Sequence, residues 1–163
     1  MHAPDECDIE FGHYRGPLDR LLIALRDAGI DAAVLELDGG GSDELWAFAE
    51  RLTADDAELR EQNRRAMHGT WNFGPIGFGY KPLALPLRVD VLDKLLEMSE
   101  RHADPEIADH LYVRDRIGPL IEAPDVGDNM IFVSRRLGQS ARDAIERALG
   151  DGFTRAEDLP SAS

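Results

Sequence analysis

The chain has 163 residues, the size of one domain, and folding should bury roughly 70% of the surface that the unfolded chain exposes. Hydrophobic residues make up 43% of it and charged residues 31%, which excludes a compositionally disordered chain. No apolar run approaches the roughly 18 residues of a membrane span, and the acidic N-terminus is unlike a secretion signal. The single cysteine, Cys7, excludes an internal disulfide. We therefore expect a cytoplasmic protein without membrane contacts.

The charge balance is strongly acidic. The 18 Lys and Arg residues face 32 Asp and Glu residues, which gives a formal net charge of −14. Nucleic-acid binding depends on Lys and Arg side chains that neutralise phosphates, so we expect no nucleic-acid partner. An acidic surface attracts basic proteins and speeds their encounter, although solubility alone also explains the excess.

Leucine spacing predicts the first helix. One helical face carries Leu18, Leu21, Leu22 and Leu25. Gly29 is placed to end this helix in a left-handed conformation. The next residues, 30–37, are rich in apolar and β-branched side chains, with Ala33, Leu35 and Leu37 on one face, which predicts a strand.

Residues 43–67 predict two helices of different character. The first carries an apolar stripe, whereas the second is almost wholly polar. Within 55–65 only Leu59 provides apolar bulk. We therefore expect the second helix to lie on the surface, where Glu58 and Glu61 are available to a partner.

Segment 68–81 combines glycines with aromatic residues and predicts a loop. Its aromatic residues are Trp71, Phe73, Phe78 and Tyr80. Their rings would tuck into a small core, dock a protein, or close over a ligand as a lid. The third case makes His68 the candidate catalytic residue.

The second half predicts two helices and three strands. The helices are expected over residues 89–102 and from Ser140 to Gly150, where Ser140 would be the N-cap. The strands are expected at 110–114, 119–123 and 130–134. Turns rich in Gly, Pro, Asp and Asn separate the strands, which favours a meander.

Together these elements predict an α+β fold with a small, mostly antiparallel sheet covered by about four helices. We expect a single domain over residues 1–153. Residues 1–8 are predicted to form a flexible acidic leader, and residues 154–163 a disordered tail.

His102 and His110 flank three carboxylates of the types that bind zinc, manganese or iron. The compact His-Glu-x-x-His spacing is missing. His102 also fits the end of a helix, where the dipole stabilises a protonated imidazole. We predict no metal and no other cofactor, and these two histidines are the candidate ligands should a metal bind.

Two functions fit the sequence. The first is an acidic protein-binding module, such as an inhibitor, an immunity or antitoxin protein or a regulatory adaptor, that docks a basic partner. The alternative is a small enzyme with a small-ligand or metal site beneath residues 68–81. Because no recognised catalytic motif is present, the sequence favours the binding module. Self-association stays open.

Overall fold

The computed structural model describes residues 9–38, 42–68 and 83–160, and it confirms the α+β class. In these residues a seven-stranded antiparallel sheet, larger than the small sheet expected, is combined with six α-helices. The strands are β1 (Ile9–Arg15), β2 (Val34–Asp38), β3 (Leu83–Pro86), β4 (His110–Arg114), β5 (Pro119–Ala123), β6 (Asp128–Ser134) and β7 (Phe153–Arg155). The helices are α1 (Leu18–Ala28), α2 (Asp43–Leu52), α3 (Ala57–His68), α4 (Val89–Ser99), α5 (Asp104–Ile107) and α6 (Gly138–Leu149).

The strands lie in the order β3-β2-β4-β5-β6-β1-β7. The meander β4-β5-β6 is as predicted. β1 was not predicted, although its apolar residues alternate with Glu10 and Gly12 in the manner of a strand. It pairs with β6 from Ile9 opposite Ser134 to Arg15 opposite Asp128. β2 begins later than predicted because Ala32 has a φ of 51°, a left-handed conformation that interrupts an extended strand.

The first face of the sheet carries the main core. α1 lies at its centre and packs against α4 and α6, and its leucines at positions 18, 21, 22 and 25 are almost completely buried, as the spacing predicted. Gly29 ends α1 with a φ of 62°. The sheet contributes alternate residues, including Leu35, Leu37, Leu111, Val113, Ile121, Ile131 and Val133.

α2 and α3 enclose the β3 edge of the sheet. α2 contributes Leu45 and Ala49 to the main core, whereas α3 contacts β3 and the second face. Asn63 of α3 is 5% exposed, and its side-chain amide bonds to the backbone of Ala84 in β3. Its Oδ1 accepts from the Ala84 N–H at 2.6 Å, and its Nδ2 donates to the Ala84 carbonyl at 3.0 Å. One side chain thus completes the hydrogen bonding of a buried strand edge.

Replacing Asn63 with alanine should lower the free energy of unfolding by about 2–4 kcal/mol, because both Ala84 backbone groups would lose their partner. Urea denaturation measures this. The control is Arg65→Ala on the exposed side of the same helix, expected within about 0.5 kcal/mol of the parent. A similar loss in both variants would contradict the role of Asn63.

The C-terminal segment continues the sheet beyond the predicted domain end. Residues 154–160, predicted as part of a disordered tail, include the end of β7 and a 3₁₀ turn at Ala156–Asp158. β7 pairs with β1 at Gly12–Tyr14. The ring of Phe153 lies against Gly12, where a Cβ would overlap it. The sequence did not predict this pairing because the contact depends on the absence of a side chain at position 12.

Gly12→Ala should destabilise the fold by about 1–3 kcal/mol, because the new Cβ would overlap the Phe153 ring and lie 2.9 Å from the Thr154 carbonyl oxygen. Thermal unfolding monitored by circular dichroism tests this. Adding Phe153→Ala should make the Gly12 substitution less costly than it is alone. Equal costs in the two backgrounds would show that the ring does not constrain position 12.

α6 begins before its predicted N-cap. The helix starts at Gly138, so Ser140 lies inside it rather than at its start. A 3₁₀ turn at Arg135–Leu137 leads into it, and Ser134 Oγ accepts from the Arg136 N–H at 3.2 Å. Among the described residues, no helix combines the length and apolar character needed to cross a bilayer.

Candidate functional site

The loop aromatic residues predicted to bind a partner lie outside the described residues. These are Trp71, Phe73, Phe78 and Tyr80. His68, the candidate catalytic residue, is the last residue of α3. The docking-loop and lid hypotheses therefore stay predictions.

Glu58 and Glu61 both lie on α3 but differ in their surroundings. Glu61 accepts from Arg64 at 2.7 Å and from Arg65 at 3.2 Å. The hydrogen bond from Arg64 is the main reason that the pKa of Glu61 falls to about 2. Arginines of its own helix thus compensate the charge of Glu61. Glu58 is exposed in the first turn of α3 and has no ion pair in the described part of the chain.

His102 joins the end of α4 to α2. Its Nε2 lies 2.8 Å from Oε2 of Glu44, which also pairs with Arg101. Because an ionised carboxylate can only accept, the ring nitrogen is the donor. This hydrogen bond is the largest cause of the lowered pKa of Glu44. Nδ1 of His102 lies 3.6 Å from Glu106. These contacts connect two helices.

His110 is engaged in a different contact. Its Nδ1 accepts from the Asp125 N–H at 2.9 Å, and its ring stacks on Tyr112 with centroids 6.5 Å apart. The two histidines therefore have separate protein partners. Within residues 9–38, 42–68 and 83–160, no group of three or more His, Cys, Asp or Glu side chains could hold a metal ion.

A groove with a charged rim lies beside the start of α3. We call it the α3 groove; its volume is about 420 Å³. Its apolar lining is provided by Ala32, Ala33, Val34, Leu59 and Pro86. Its charged lining is provided by Asp56, Glu58, Arg114, Asp115 and Arg116. The groove forms because Leu59 and Asn63 hold α3 against the β3–β2 end of the second face.

The charges of the α3 groove do not cancel. Arg114 is bound by Glu36 at 2.7 Å, and Asp115 is bound by Arg136 at 2.8 Å. Among the described lining residues, this leaves Asp56 and Glu58 against Arg116 alone. Asp56 Oδ1 accepts from the Leu59 N–H at 3.1 Å, which holds this carboxylate at the N-terminus of α3. The rim therefore keeps one net negative charge.

Asp115 fixes the turn that forms one wall of the α3 groove. Its Oδ1 accepts from the N–H groups of Ile117 and Gly118 at 2.9 and 3.0 Å. Arg136, in the 3₁₀ turn that follows β6, also donates to the carbonyls of Gly118 and Pro119. The hydrogen bond from Arg136 is the main reason that the pKa of Asp115 falls to about 2. The turn was predicted from its residues, but no sequence signal pointed to Arg136.

Asp115→Asn should lower the free energy of unfolding by about 1–3 kcal/mol at pH 7, because the charged hydrogen bonds to Arg136 are lost. The folded-state pKa is depressed from 3.8, so the carboxylate stabilises the protein above about pH 4 and this contribution is lost as the pH falls to about 2. Urea denaturation between pH 7 and pH 2 should show the free energies of unfolding of wild type and Asp115→Asn converging between about pH 4 and pH 2.

The control for this titration is Asp151→Asn, which changes an exposed carboxylate without an ion pair in the described part of the chain. It should leave the pH dependence of stability unchanged. A difference in free energy of unfolding between wild type and Asp115→Asn that stays constant down to pH 2 would contradict the pairing of Asp115 with Arg136.

Comparisons of the chain with protein-family models, with curated proteins and with solved structures find no match.

Proposed function

We propose that the protein is an acidic binding module, of the inhibitor, immunity, antitoxin or regulatory-adaptor kind, whose basic protein partner docks in the α3 groove. The observation that carries the proposal is the pair of carboxylates, Asp56 and Glu58, beside an apolar lining. No described arginine or lysine pairs with either carboxylate. The formal net charge of −14 favours a basic partner at longer range.

The groove suits a lysine or arginine side chain of the partner. The aliphatic part of such a side chain would pack on the apolar lining formed by Val34, Leu59 and Pro86. Its charged end would reach Asp56 and Glu58 on the rim. Hydrogen bonds between ionised groups are stronger than neutral ones, so this contact would add to affinity as well as to the association rate.

The position of Asp56 limits the entropy lost on docking. Its carboxylate is already held by the Leu59 N–H, and the facing turn is fixed by Asp115 and Arg136. A partner would therefore meet rigid groups on both walls of the groove, which reduces the ordering that binding requires. Glu61, whose charge Arg64 and Arg65 compensate, contributes little to this attraction.

Glu58→Lys should weaken capture of a basic protein from lysate of the source organism by at least ten-fold, since it reverses the charge of the rim. The matched control is Glu100→Lys, which makes the same change of net charge on the exposed end of α4. Immobilised wild type and variants would be compared at low and high salt, and the captured protein then titrated in purified form.

The two variants distinguish docking in the α3 groove from attraction by the net charge of the protein. A loss confined to Glu58→Lys, together with release at high salt, supports docking in the α3 groove. Equal loss in both variants would mean that only the net charge attracts the partner. Capture unaffected by Glu58→Lys, or the absence of any stoichiometric basic protein, would overturn the proposal.

A further inference from the structure

A second cleft lies at the opposite end of the sheet, between α6 and the strands β1, β6 and β7. We call it the α6 cleft; its volume is about 280 Å³. Its apolar floor and walls include Gly12, Ile131, Val133, Ile145 and Phe153. This volume is just below the range of about 300–1,000 Å³ that is usual for small-molecule sites, which suits a ligand smaller than a nucleotide.

Two ion pairs of opposite orientation join α6 to the strands across this cleft. At one end Arg142 of α6 binds Glu10 of β1. At the other end Glu146 of α6 binds Arg155 of β7 through both carboxylate oxygens, at 2.6 and 2.8 Å. The helix thus provides the cation at the first end and the anion at the second.

Each ion pair has a further charged neighbour, and the two neighbours have opposite sign. Arg135 approaches Glu10 at 3.5 Å, so two guanidinium groups share one carboxylate. Glu157 approaches Arg155 at 3.7 Å, so two carboxylates share one guanidinium group. The end of the α6 cleft around Glu10 therefore has a net positive charge, because two arginines surround one carboxylate. The end around Arg155 has a net negative charge, because two carboxylates surround one arginine.

The backbone sets the distance between the two ends. Arg155 pairs with Gly12, so Glu10 is its diagonal neighbour, about 7–8 Å away between Cα atoms. On α6, Arg142 and Glu146 are four residues apart, with about 5–6 Å between Cβ atoms. On each wall, the backbone positions that carry the two ends are therefore about 5–8 Å apart.

At each end, one charged side chain is exposed enough to contact a ligand. Arg142 is 13% exposed on its side chain and already bonds to Glu10, to the Gly138 carbonyl and to Gln139. The guanidinium group of Arg135, by contrast, makes no hydrogen bond to another residue in the described part of the chain, and half of this side chain is exposed. At the negative end, Glu157 is mostly exposed and its contact with Arg155 is the longer one.

We infer that the α6 cleft binds an apolar dipeptide with free ends. Its carboxylate would meet Arg135, its ammonium group would meet Glu157, and its side chains would cover the apolar floor. An extended two-residue peptide spans about 7 Å, which is comparable with the spacing of the backbone positions that carry the two ends. A single amino acid carries both charges on one carbon and is too short to reach them. This site is independent of the α3 groove and of the proposed function.

Titration calorimetry with leucyl-leucine tests the inference. Binding to the full chain is expected, and blocking either the amino group by acetylation or the carboxyl group by amidation should weaken it at least ten-fold. Free leucine should bind at least ten-fold more weakly than the dipeptide. Equal affinity for free and blocked peptides, or no binding at millimolar concentration, would overturn the inference.

Substitutions at the two ends of the α6 cleft test where leucyl-leucine binds. Arg135→Gln and Glu157→Gln should each weaken leucyl-leucine binding about ten-fold, because each removes the charge that faces one end of the peptide. The matched control is Arg147→Gln on the exposed side of α6, which should bind like wild type. Unchanged binding in both cleft variants would overturn the assignment to the α6 cleft. Sedimentation experiments that show a concentration-dependent dimer formed through the cleft would overturn it as well. Unchanged thermal unfolding would show that the variants remain folded.

Discussion

The side-chain amide of Asn63 allows the sheet to end at β3 inside the protein. A strand edge exposes backbone N–H and carbonyl groups, and burying them without partners is costly. Asn63 bonds to both such groups of Ala84, so α3 lies against the edge with those groups paired. The position of α3 in turn creates the α3 groove between its first turn and the start of β2. The candidate docking surface therefore depends on one buried amide.

The charges of the described residues are arranged largely in pairs between distant parts of the chain. Arg114 with Glu36, Arg136 with Asp115, and Arg142 with Glu10 each join different elements. Such pairs engage many of the basic side chains, which are fewer than the acidic ones. Because acidic residues outnumber basic ones, carboxylates such as Glu58 have no ion-pair partner among the described residues, and their placement decides where the surface attracts a cation.

The strand order places the two clefts at opposite ends of the sheet. The α3 groove lies at the β3–β2 end, and the α6 cleft lies where β1 and β7 meet α6. Their electrostatics differ. The rim of the first has a net negative charge, whereas the second has separate positive and negative ends. A chain with a large net negative charge thus carries two clefts that differ in their local charge.

The sequence by itself determined the α+β class, the buried face of α1, the meander β4-β5-β6 and the acidic surface. These follow from local periodicity, turn residues and composition, which act over a few residues. The tertiary structure decided the seven-strand order, the pairing of β1 and β7, and both clefts. Gly12 gives no sign in the sequence that Phe153 packs on it, and Asn63 resembles any other polar residue of a surface helix. These contacts join residues far apart in the chain, so only the folded arrangement specifies them.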